Sequence, residues 1–265
     1  MNDELSARAV TDVLATTWLG RPYTYIPETG STNDDLKRLA AAGAPHGAVL
    51  LAEYQSAGRG RLDRRWEASP GTSLLFSVLL RPAGWPVERG GWLTMLTALA
   101  AAEAVEAVAG LRASLKWPND VMVGERKTGG LLLDTTLDTR GRLETAVVGV
   151  GLNVNIPAEQ LPDAVTPATS LFVAGGRPVA RRALLVDLLA RLERHYDAAA
   201  AGNSPVAAWA ARLATLGRAV RVTQGSAEPL LGTAEATDEW GRLLLRDAAG
   251  RLHTVAAGDV SLRDR

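Results

Sequence analysis

Apolar and polar residues follow two different patterns along this chain of 265 residues. Up to about residue 216, short apolar runs alternate with segments of helical periodicity, as in a sheet flanked by helices. The apolar runs predict buried strands over 47–54, 73–81, 111–117, 129–137 and 144–154. The helical segments follow Ser31, cover 88–109, carry Leu184 to Tyr196 on one face, and follow Ser204.

The predicted helix ends carry recognisable signals. Ser31 is placed to cap the first helix, with Asp34 three residues later as its reciprocal partner. Gly43 and Gly110 are placed to end the first and second helices. These residues predict where each of the first two helices ends and the following loop begins.

From about residue 217 the pattern changes to strict alternation of apolar and polar residues. The alternating stretches are separated by turn sequences such as D-E-W-G and D-A-A-G, which is typical of a small antiparallel meander or barrel. We therefore predict an α+β protein with two domains. A mixed sheet with helices covers 1–216, and a small β-barrel covers 217–265.

Composition narrows the class of protein. Basic and acidic residues balance at 29 each, which argues against a general nucleic-acid-coating protein. The chain has no cysteine, which excludes disulfides and thiolate chemistry. No apolar run approaches the roughly 18 residues of a membrane span, and the N-terminus does not have the form of a signal peptide. The prediction is a cytoplasmic protein without membrane contact.

Four segments carry candidate chemistry at the ends of predicted strands. The segment G-R-G-R-L-D-R-R-W at 58–66 places four arginines in a glycine-containing loop, which suits a phosphate or carboxylate. K-W-P-N-D at 116–120 offers a lysine beside hard oxygen ligands of the kind that Mg²⁺ prefers. Each segment alone is also compatible with a solvated turn.

The other two segments are rich in glycine. R-K-T-G-G at 126–130 places Lys127 before two glycines that permit close backbone approach. V-G-V-G-L-N at 148–153 carries two glycines on one strand face, which predicts a flat ligand or a neighbouring helix packed there. Only three basic residues are lysine, so Lys116 and Lys127 mark positions where a compact ammonium is needed.

Taken in order, these segments resemble the biotin–protein ligase family. The resemblance rests on S-T-N at 31–33, the segment from A-E-Y-Q-S-A-G-R-G-R to S-P-G at 52–71, K-W-P-N-D, R-K-T-G-G-L-L, G-V-G-L-N-V, and the closing G-D-V-S-L-R at 258–263. Two positions depart from the family pattern, Asp63 and Thr128. The resemblance implies a class II aminoacyl-tRNA-synthetase-like catalytic domain and an SH3-like C-terminal barrel.

The same resemblance implies a two-step reaction with biotin, ATP and Mg²⁺. Biotin is activated as biotinyl-5′-AMP with release of pyrophosphate, and then passes to a lysine of the biotin carboxyl carrier protein of a carboxylase. The catalytic residues implied are Lys127, Arg61 and Lys116. Metal binding is implied for Asp120 and Asn153. Biotin and nucleotide binding is implied for Ser31, Thr32, Asn33, Gln55, Gly58, Arg59, Gly60, Arg61, Arg64, Trp66, Lys116, Asn119, Lys127, Gly130, Leu132, Gly149, Leu152, Asn153 and Arg263.

Family members that repress transcription carry a helix-turn-helix before S-T-N, and 30 residues precede Ser31 here. We therefore expect the monofunctional type, without specific DNA binding, as a monomer or a homodimer. Three alternatives stay open at this stage: a lipoate–protein ligase, a biotin sensor that does not turn biotin over, and a nucleic-acid-binding module.

Overall fold

The computed structural model of the chain describes residues 5–62, 64–164, 166–224 and 228–262. Its larger sheet has seven strands in the order β1-β2-β3-β7-β6-β5-β4. β1 runs parallel to β2, and the other neighbouring strands pair antiparallel. The strands are β1 Tyr23–Thr29, β2 Val49–Gln55, β3 Ser73–Leu80, β4 Ala113–Lys116, β5 Asp120–Val123, β6 Arg126–Leu137 and β7 Leu143–Asn153. The predicted mixed sheet is confirmed.

Helices cover both faces of this sheet. They are α1 Ala7–Thr11, α2 Thr32–Ala41, α3 Gly90–Ala104, α4 Leu171–Gly175, α5 Arg181–Ala200 and α6 Val206–Ala210. α3 continues through a π-helical turn and ends at Gly110, which adopts a left-handed conformation with φ of 72°. The predicted stop at Gly110 is therefore confirmed, because glycine adopts that conformation without steric cost.

Strand β3 shows how the two faces are filled. All eight of its residues are buried. Phe76 and Val78 belong to the main core, to which α3 and α5 contribute, whereas Leu79 packs with Leu36 beneath α2. Because successive side chains of a strand point to opposite faces, both faces of the sheet are covered. The continuous apolar run at 73–81 reflects this double burial.

The C-terminal sheet has five antiparallel strands in the order β11-β10-β9-β8-β12. They are β8 Ala219–Thr223, β9 Leu230–Thr237, β10 Leu243–Arg246, β11 Leu252–Val255 and β12 Asp259–Leu262. The indole of Trp117 donates to the Gly241 carbonyl oxygen at 3.0 Å, which ties this sheet to the end of β4. The predicted antiparallel meander is confirmed, whereas the division into two domains near residue 217 stays a prediction.

Some local expectations were wrong. Strands β1 and β5 were missed, because β1 is a polar edge strand that contains Pro27 and β5 has only four residues. Ser31 occupies the N-cap position of α2 but makes no side-chain capping hydrogen bond to the described residues. The side chain of Gln55 accepts from the Thr32 amide at 2.7 Å instead, so a neighbouring strand satisfies the helix terminus.

The helical stretch Val87–Ala109 is, among the described residues, the one long and apolar enough to cross a membrane. Of its most apolar window, 72% is buried inside the molecule. Its composition is therefore accounted for by its place as the core helix between the sheet and α5.

Candidate functional site

A cleft of about 780 Å³ opens between the seven-stranded sheet, the loop at 58–66 and strands β8 and β12. It brings together residues that are far apart in the sequence but were predicted as one site. The predicted residues that line it are Ser31, Thr32, Asn33, Gln55, Arg59, Gly60, Arg61, Arg64, Trp66, Lys116, Asn119, Asp120, Lys127, Gly130, Leu132, Gly149 and Asn153. This convergence is the main structural result for the site.

Among the described residues, two that were predicted for the site do not line the cleft. Leu152 was wrongly predicted to wall the pocket: it is fully buried in the main core, and a Cβ added at Gly129 would lie 2.3 Å from its Cδ2. Side chains alternate along β7, so Gly149 and Gly151 face the cleft and Leu152 faces away. Gly58 lies behind the loop, where a Cβ would meet the Trp66 carbonyl oxygen at 2.4 Å. Arg263, like the departure at Asp63, lies outside the described residues.

One end of the cleft is lined by Thr32, Asn33 and Gln55, and the buried Ser77 hydrogen-bonds to the first two; we call these four residues the neutral network. The Thr32 hydroxyl donates to Gln55 Oε1 at 3.0 Å. Ser77 Oγ lies 2.8 Å from Thr32 Oγ1 and 2.6 Å from Asn33 Oδ1. Thr32, Asn33 and Ser77 are buried, so these groups are held in place before any ligand binds.

The glycines of β7 leave room for side chains on the cleft floor. A Cβ at Gly149 would lie 2.1 Å from Asn33 Oδ1, and a Cβ at Gly151 would lie 2.5 Å from the Trp66 ring. The sequence pattern predicted a flat ligand or a neighbouring helix on this face; Asn33 of helix α2 packs at Gly149, and the Trp66 indole packs at Gly151. The indole nitrogen is buried and has no hydrogen-bond partner among the described residues.

The other end is lined by a cationic cluster, formed by Arg61, Lys116 and Lys127. Lys127 Nζ lies 2.6 Å from Asp120 Oδ1 and 5.7 Å from the centre of the Trp66 ring. Lys116 Nζ donates to Thr166 Oγ1 at 2.7 Å, and Arg61 donates to Asn119 Oδ1 at 3.1 Å. Among the described residues, neither Arg61 nor Lys116 forms a salt bridge with a carboxylate.

Burial sets the electrostatics of this cluster. It lowers the pKa of Lys116, and the neighbouring ammonium of Lys127 lowers it further, although Asp120 acts in the opposite direction. Burial also lowers the pKa of the Arg61 guanidinium. Both charges are thus held where water solvates them poorly, and an anion would relieve that cost.

The donor set near Asp120 fits a divalent cation that binds together with phosphates. No cluster of three His, Cys, Asp or Glu side chains occurs within the described residues. Asn153 donates its amide nitrogen to the Thr169 carbonyl oxygen at 3.0 Å, which leaves the amide oxygen for a ligand. One carboxylate and one amide oxygen are typical protein ligands of Mg²⁺, whose other positions are filled by water and phosphate.

The loop at 58–66 is held by ion pairs. Arg59 pairs with Asp34 and, at 3.3 Å, with Asp134, and Arg64 pairs with Asp259. Carboxylates from α2, β6 and β12 therefore neutralise two of its four arginines.

Comparisons with known proteins agree with this geometry. Residues 25–153 match the Biotin/lipoate A/B protein ligase family, and residues 215–263 match the Biotin protein ligase C terminal domain. A biotin–[acetyl-CoA-carboxylase] ligase of Mycobacterium tuberculosis is 38% identical over 97% of this chain and 95% of its own length. The chain belongs to the biotin protein ligase family.

Two further relatives are similar to this chain over most of its length. A biotin protein ligase from Aquifex aeolicus in complex with biotin and ATP has a TM-score of 0.75 at 28% identity, covering 91% of this chain and 98% of that one. A bifunctional ligase/repressor of Bacillus subtilis is 30% identical over 98% of this chain and 79% of its own length. The seven-stranded sheet, its helices and the C-terminal antiparallel sheet therefore form a biotin protein ligase fold.

Within this biotin protein ligase, several cleft residues were not predicted from the sequence. Ser77 belongs to the neutral network, Thr166 binds Lys116, and Arg221 and Asp259 line the cleft from the C-terminal sheet. Alternation along β3 and β12 could have indicated which faces these side chains occupy. The resemblance implied that Arg263 reaches the nucleotide from the C-terminal part of the chain, but it did not indicate which other side chains of that sheet line the cleft.

Proposed function

We propose that this protein activates biotin with ATP and transfers it to a lysine of a biotin carboxyl carrier protein. The observation that carries the proposal is that one cleft holds a buried neutral network at one end and a cationic cluster at the other. Biotin has an uncharged ureido ring and a carboxylate, and ATP brings a triphosphate. The neutral network therefore suits the ureido ring of biotin, and the cationic cluster suits the carboxylate of biotin and the triphosphate of ATP.

In the first step, a carboxylate oxygen of biotin attacks the α-phosphorus of ATP, and pyrophosphate leaves. Two anions must approach one another, so the protein has to supply positive charge where they meet. We assign Lys127 to the biotin carboxylate and α-phosphate, with Arg61 and Lys116 on the phosphates. Ser31, Thr32, Asn33 and Gln55 hold the ureido end, and Trp66 covers the adenylate.

Mg²⁺ would be held by Asp120 and Asn153 and would neutralise phosphate charge. Asp120 also holds Lys127 at 2.6 Å, so it orients this ammonium toward the cleft. Gly130 keeps the floor open beside it, because a Cβ there would lie 3.2 Å from Lys127 Nζ. The unpaired indole nitrogen of Trp66 supports a ligand beneath the loop, since buried donors are rarely left unpaired.

In the second step, the ε-amine of the acceptor lysine attacks the carbonyl carbon of the mixed anhydride. An amide bond forms, AMP leaves, and the amine loses a proton. The acceptor lysine enters the same cleft, which the arginine loop helps to line. A lipoate–protein ligase is the nearest alternative, and the relatives described above favour biotin.

Finer features of the family are also proposed here. The catalytic sheet is of the class II aminoacyl-tRNA-synthetase type, and the C-terminal sheet is an SH3-like barrel that forms its own domain from residue 217. The protein acts in the cytoplasm as a monomer or homodimer.

The proposal is tested by incubating the purified protein with ATP, Mg²⁺, biotin and an isolated biotin carboxyl carrier domain. Mass spectrometry should show one biotin attached to the acceptor lysine. Replacement of that lysine by arginine should abolish the product, and lipoate should not replace biotin. Modification by lipoate at the rate seen with biotin would favour the alternative ligase.

A further inference from the structure

Two paired strands of the C-terminal sheet present polar side chains to the cleft. In the antiparallel pair of β8 and β12, Arg221 lies opposite Ser261 and Thr223 lies opposite Asp259. All four side chains line the cleft, and we call them the polar face. They alternate with buried valines such as Val222, as expected for a strand with one face in the core.

The two charges on the polar face differ in their partners. Asp259 pairs with Arg64 of the arginine loop. The guanidinium of Arg221 has no hydrogen bond or ion pair with the part of the chain that the structure describes, and the residue is exposed at the cleft wall. Arg221 is therefore a cation that faces the cleft without a carboxylate to neutralise it.

The polar face lies within electrostatic range of the cationic cluster. The carboxylate of Asp259 raises the pKa of both Arg61 and Lys116, opposing the effect of their burial. The charge of Asp259 on β12 thus acts on Arg61 and Lys116, the two residues that we assign to the phosphates. Arg221 lies on the adjacent strand, two residues from Thr223, which pairs with Asp259.

We propose that Arg221 is a further phosphate-binding residue, which holds the β- and γ-phosphates of ATP and the pyrophosphate that leaves. This role rests on the proposed function. The α-phosphate has to lie beside Lys127, and Trp66 covers the adenylate, so the remaining phosphates extend toward the C-terminal sheet. A guanidinium binds two phosphate oxygens at once, and the hydroxyls of Thr223 and Ser261 add donors beside it.

The test compares Arg221→Ala and Arg221→Lys with the control Arg251→Ala. Arg251 is also exposed and lies in the turn just before β11, outside the cleft lining. For Arg221→Ala we expect the KM for ATP in biotin-dependent pyrophosphate exchange to rise about 10-fold, as for loss of one charged hydrogen bond. Inhibition by added pyrophosphate should weaken similarly, Arg221→Lys should recover part of the affinity, and Arg251→Ala should match the wild type.

Two further readouts separate this role from its alternatives. Biotin affinity without nucleotide, and single-turnover transfer from preformed biotinyl-AMP, should both be unchanged in Arg221→Ala. An unchanged KM for ATP would overturn the proposal, and so would a defect confined to the KM for the carrier domain, which would place Arg221 in the acceptor surface. If the wild type shows no biotin-dependent exchange, the proposed function fails, but the role of Arg221 can still be tested. In that case the Kd for ATP, measured by calorimetry, should be higher for Arg221→Ala than for the wild type.

Discussion

At one end of the cleft, Thr32, Asn33 and Ser77 are buried and are held by hydrogen bonds to one another before a ligand arrives. At the other end, burial and the nearby ammonium of Lys127 lower the pKa of Lys116, and Lys127 forms an ion pair with Asp120. The first end is organised for an uncharged polar group. The second is organised around charges that become stable only when an anion joins them, so the two ends should respond differently to mutation, pH and salt.

The largest expected effect is at the cationic end. Lys127→Ala should lower the rate of biotin adenylation by about 100-fold or more, because it removes a preorganised charge from the atoms that react. Lys127→Arg should also be slow, because a forked guanidinium differs in shape and reach from an ammonium. Rapid-quench measurement of biotinyl-AMP formation checks both variants.

Lys37→Ala is the matched control for this experiment. Lys37 is the remaining lysine, is partly exposed and pairs with Asp34 at 3.0 Å outside the cleft lining. Its loss should leave adenylation near the wild-type rate. Near-normal adenylation by Lys127→Ala, with a normal thermal unfolding curve, would remove Lys127 from the reaction.

A glycine substitution addresses the neutral end. Gly149→Ala places a Cβ 2.1 Å from Asn33 Oδ1, so Asn33 has to move and the network has to rearrange. We expect the Kd for biotin to rise about 10-fold or more, in line with the cost of overpacking a buried site. The Kd for ATP, measured in the same calorimeter, should change little.

Gly30→Ala is the control for this variant, because a Cβ at Gly30 would meet no atom within 4 Å. Its biotin affinity should match that of the wild type. If Gly149→Ala weakens ATP and biotin equally, the two ends of the cleft are not independent and the comparison breaks down.

The pH dependence of ATP binding sharpens the comparison. Burial lowers the pKa of Lys116 from its ordinary value of 10.5, so the ammonium loses its proton at lower pH than an exposed lysine does. Binding that needs the charged form is complete below that lowered pKa and is lost as pH rises through it. The KM for ATP should therefore rise several-fold with increasing pH, and the rise should begin at a lower pH than the ordinary pKa of a lysine would give.

Lys116→Arg distinguishes this cause from a general effect of pH. Arginine keeps its charge throughout this range, so the variant should show a flat profile even if its affinity is lower. Biotin affinity, which depends on the neutral network, should not follow the same curve. Identical pH profiles for wild type and Lys116→Arg would exclude Lys116 as the titrating group.

The smallest expected effect concerns the ion pair between the arginine loop and β12. Asp259→Asn removes the partner of Arg64 and should increase tryptic cleavage near Arg61 by a few-fold in the ligand-free protein, since exposed pairs contribute up to about 1 kcal/mol. Biotin with ATP should reduce the cleavage again, because phosphates then neutralise the loop. Unchanged cleavage would mean that the pairs of Arg59 hold the loop alone.

Much of the fold could be predicted from the sequence because it depends on local patterning. The run at 73–81 indicated a fully buried strand, and Gly110 indicated the end of the long helix. Strand β1 could not be predicted in the same way, because an edge strand buries one face only and tolerates Pro27. Its pairing with β2 depends on contacts between distant segments.

The site residues also fall into those that local sequence patterns predict and those that depend on packing between distant segments. Motif residues such as Lys116 and Lys127 were predicted because their spacing places them at strand ends. Leu152 was assigned to the cleft from its place in a motif, although alternation along β7 directs it into the core. Asp259 and Arg221 were not predicted: the resemblance brought Arg263 from the C-terminal part of the chain to the nucleotide, but which side chains of the C-terminal sheet line the cleft depends on how it packs on the larger sheet.

The central claim is that one cleft joins biotin and ATP, and biotin-dependent exchange of labelled pyrophosphate into ATP tests it most directly. We predict exchange that requires biotin and Mg²⁺, is absent with lipoate, and is lost in Lys127→Ala but retained in Gly149→Ala at saturating biotin. Exchange that proceeds equally without biotin, or that is lost in Gly149→Ala even when biotin saturates, would contradict a cleft with a neutral biotin end and a cationic phosphate end.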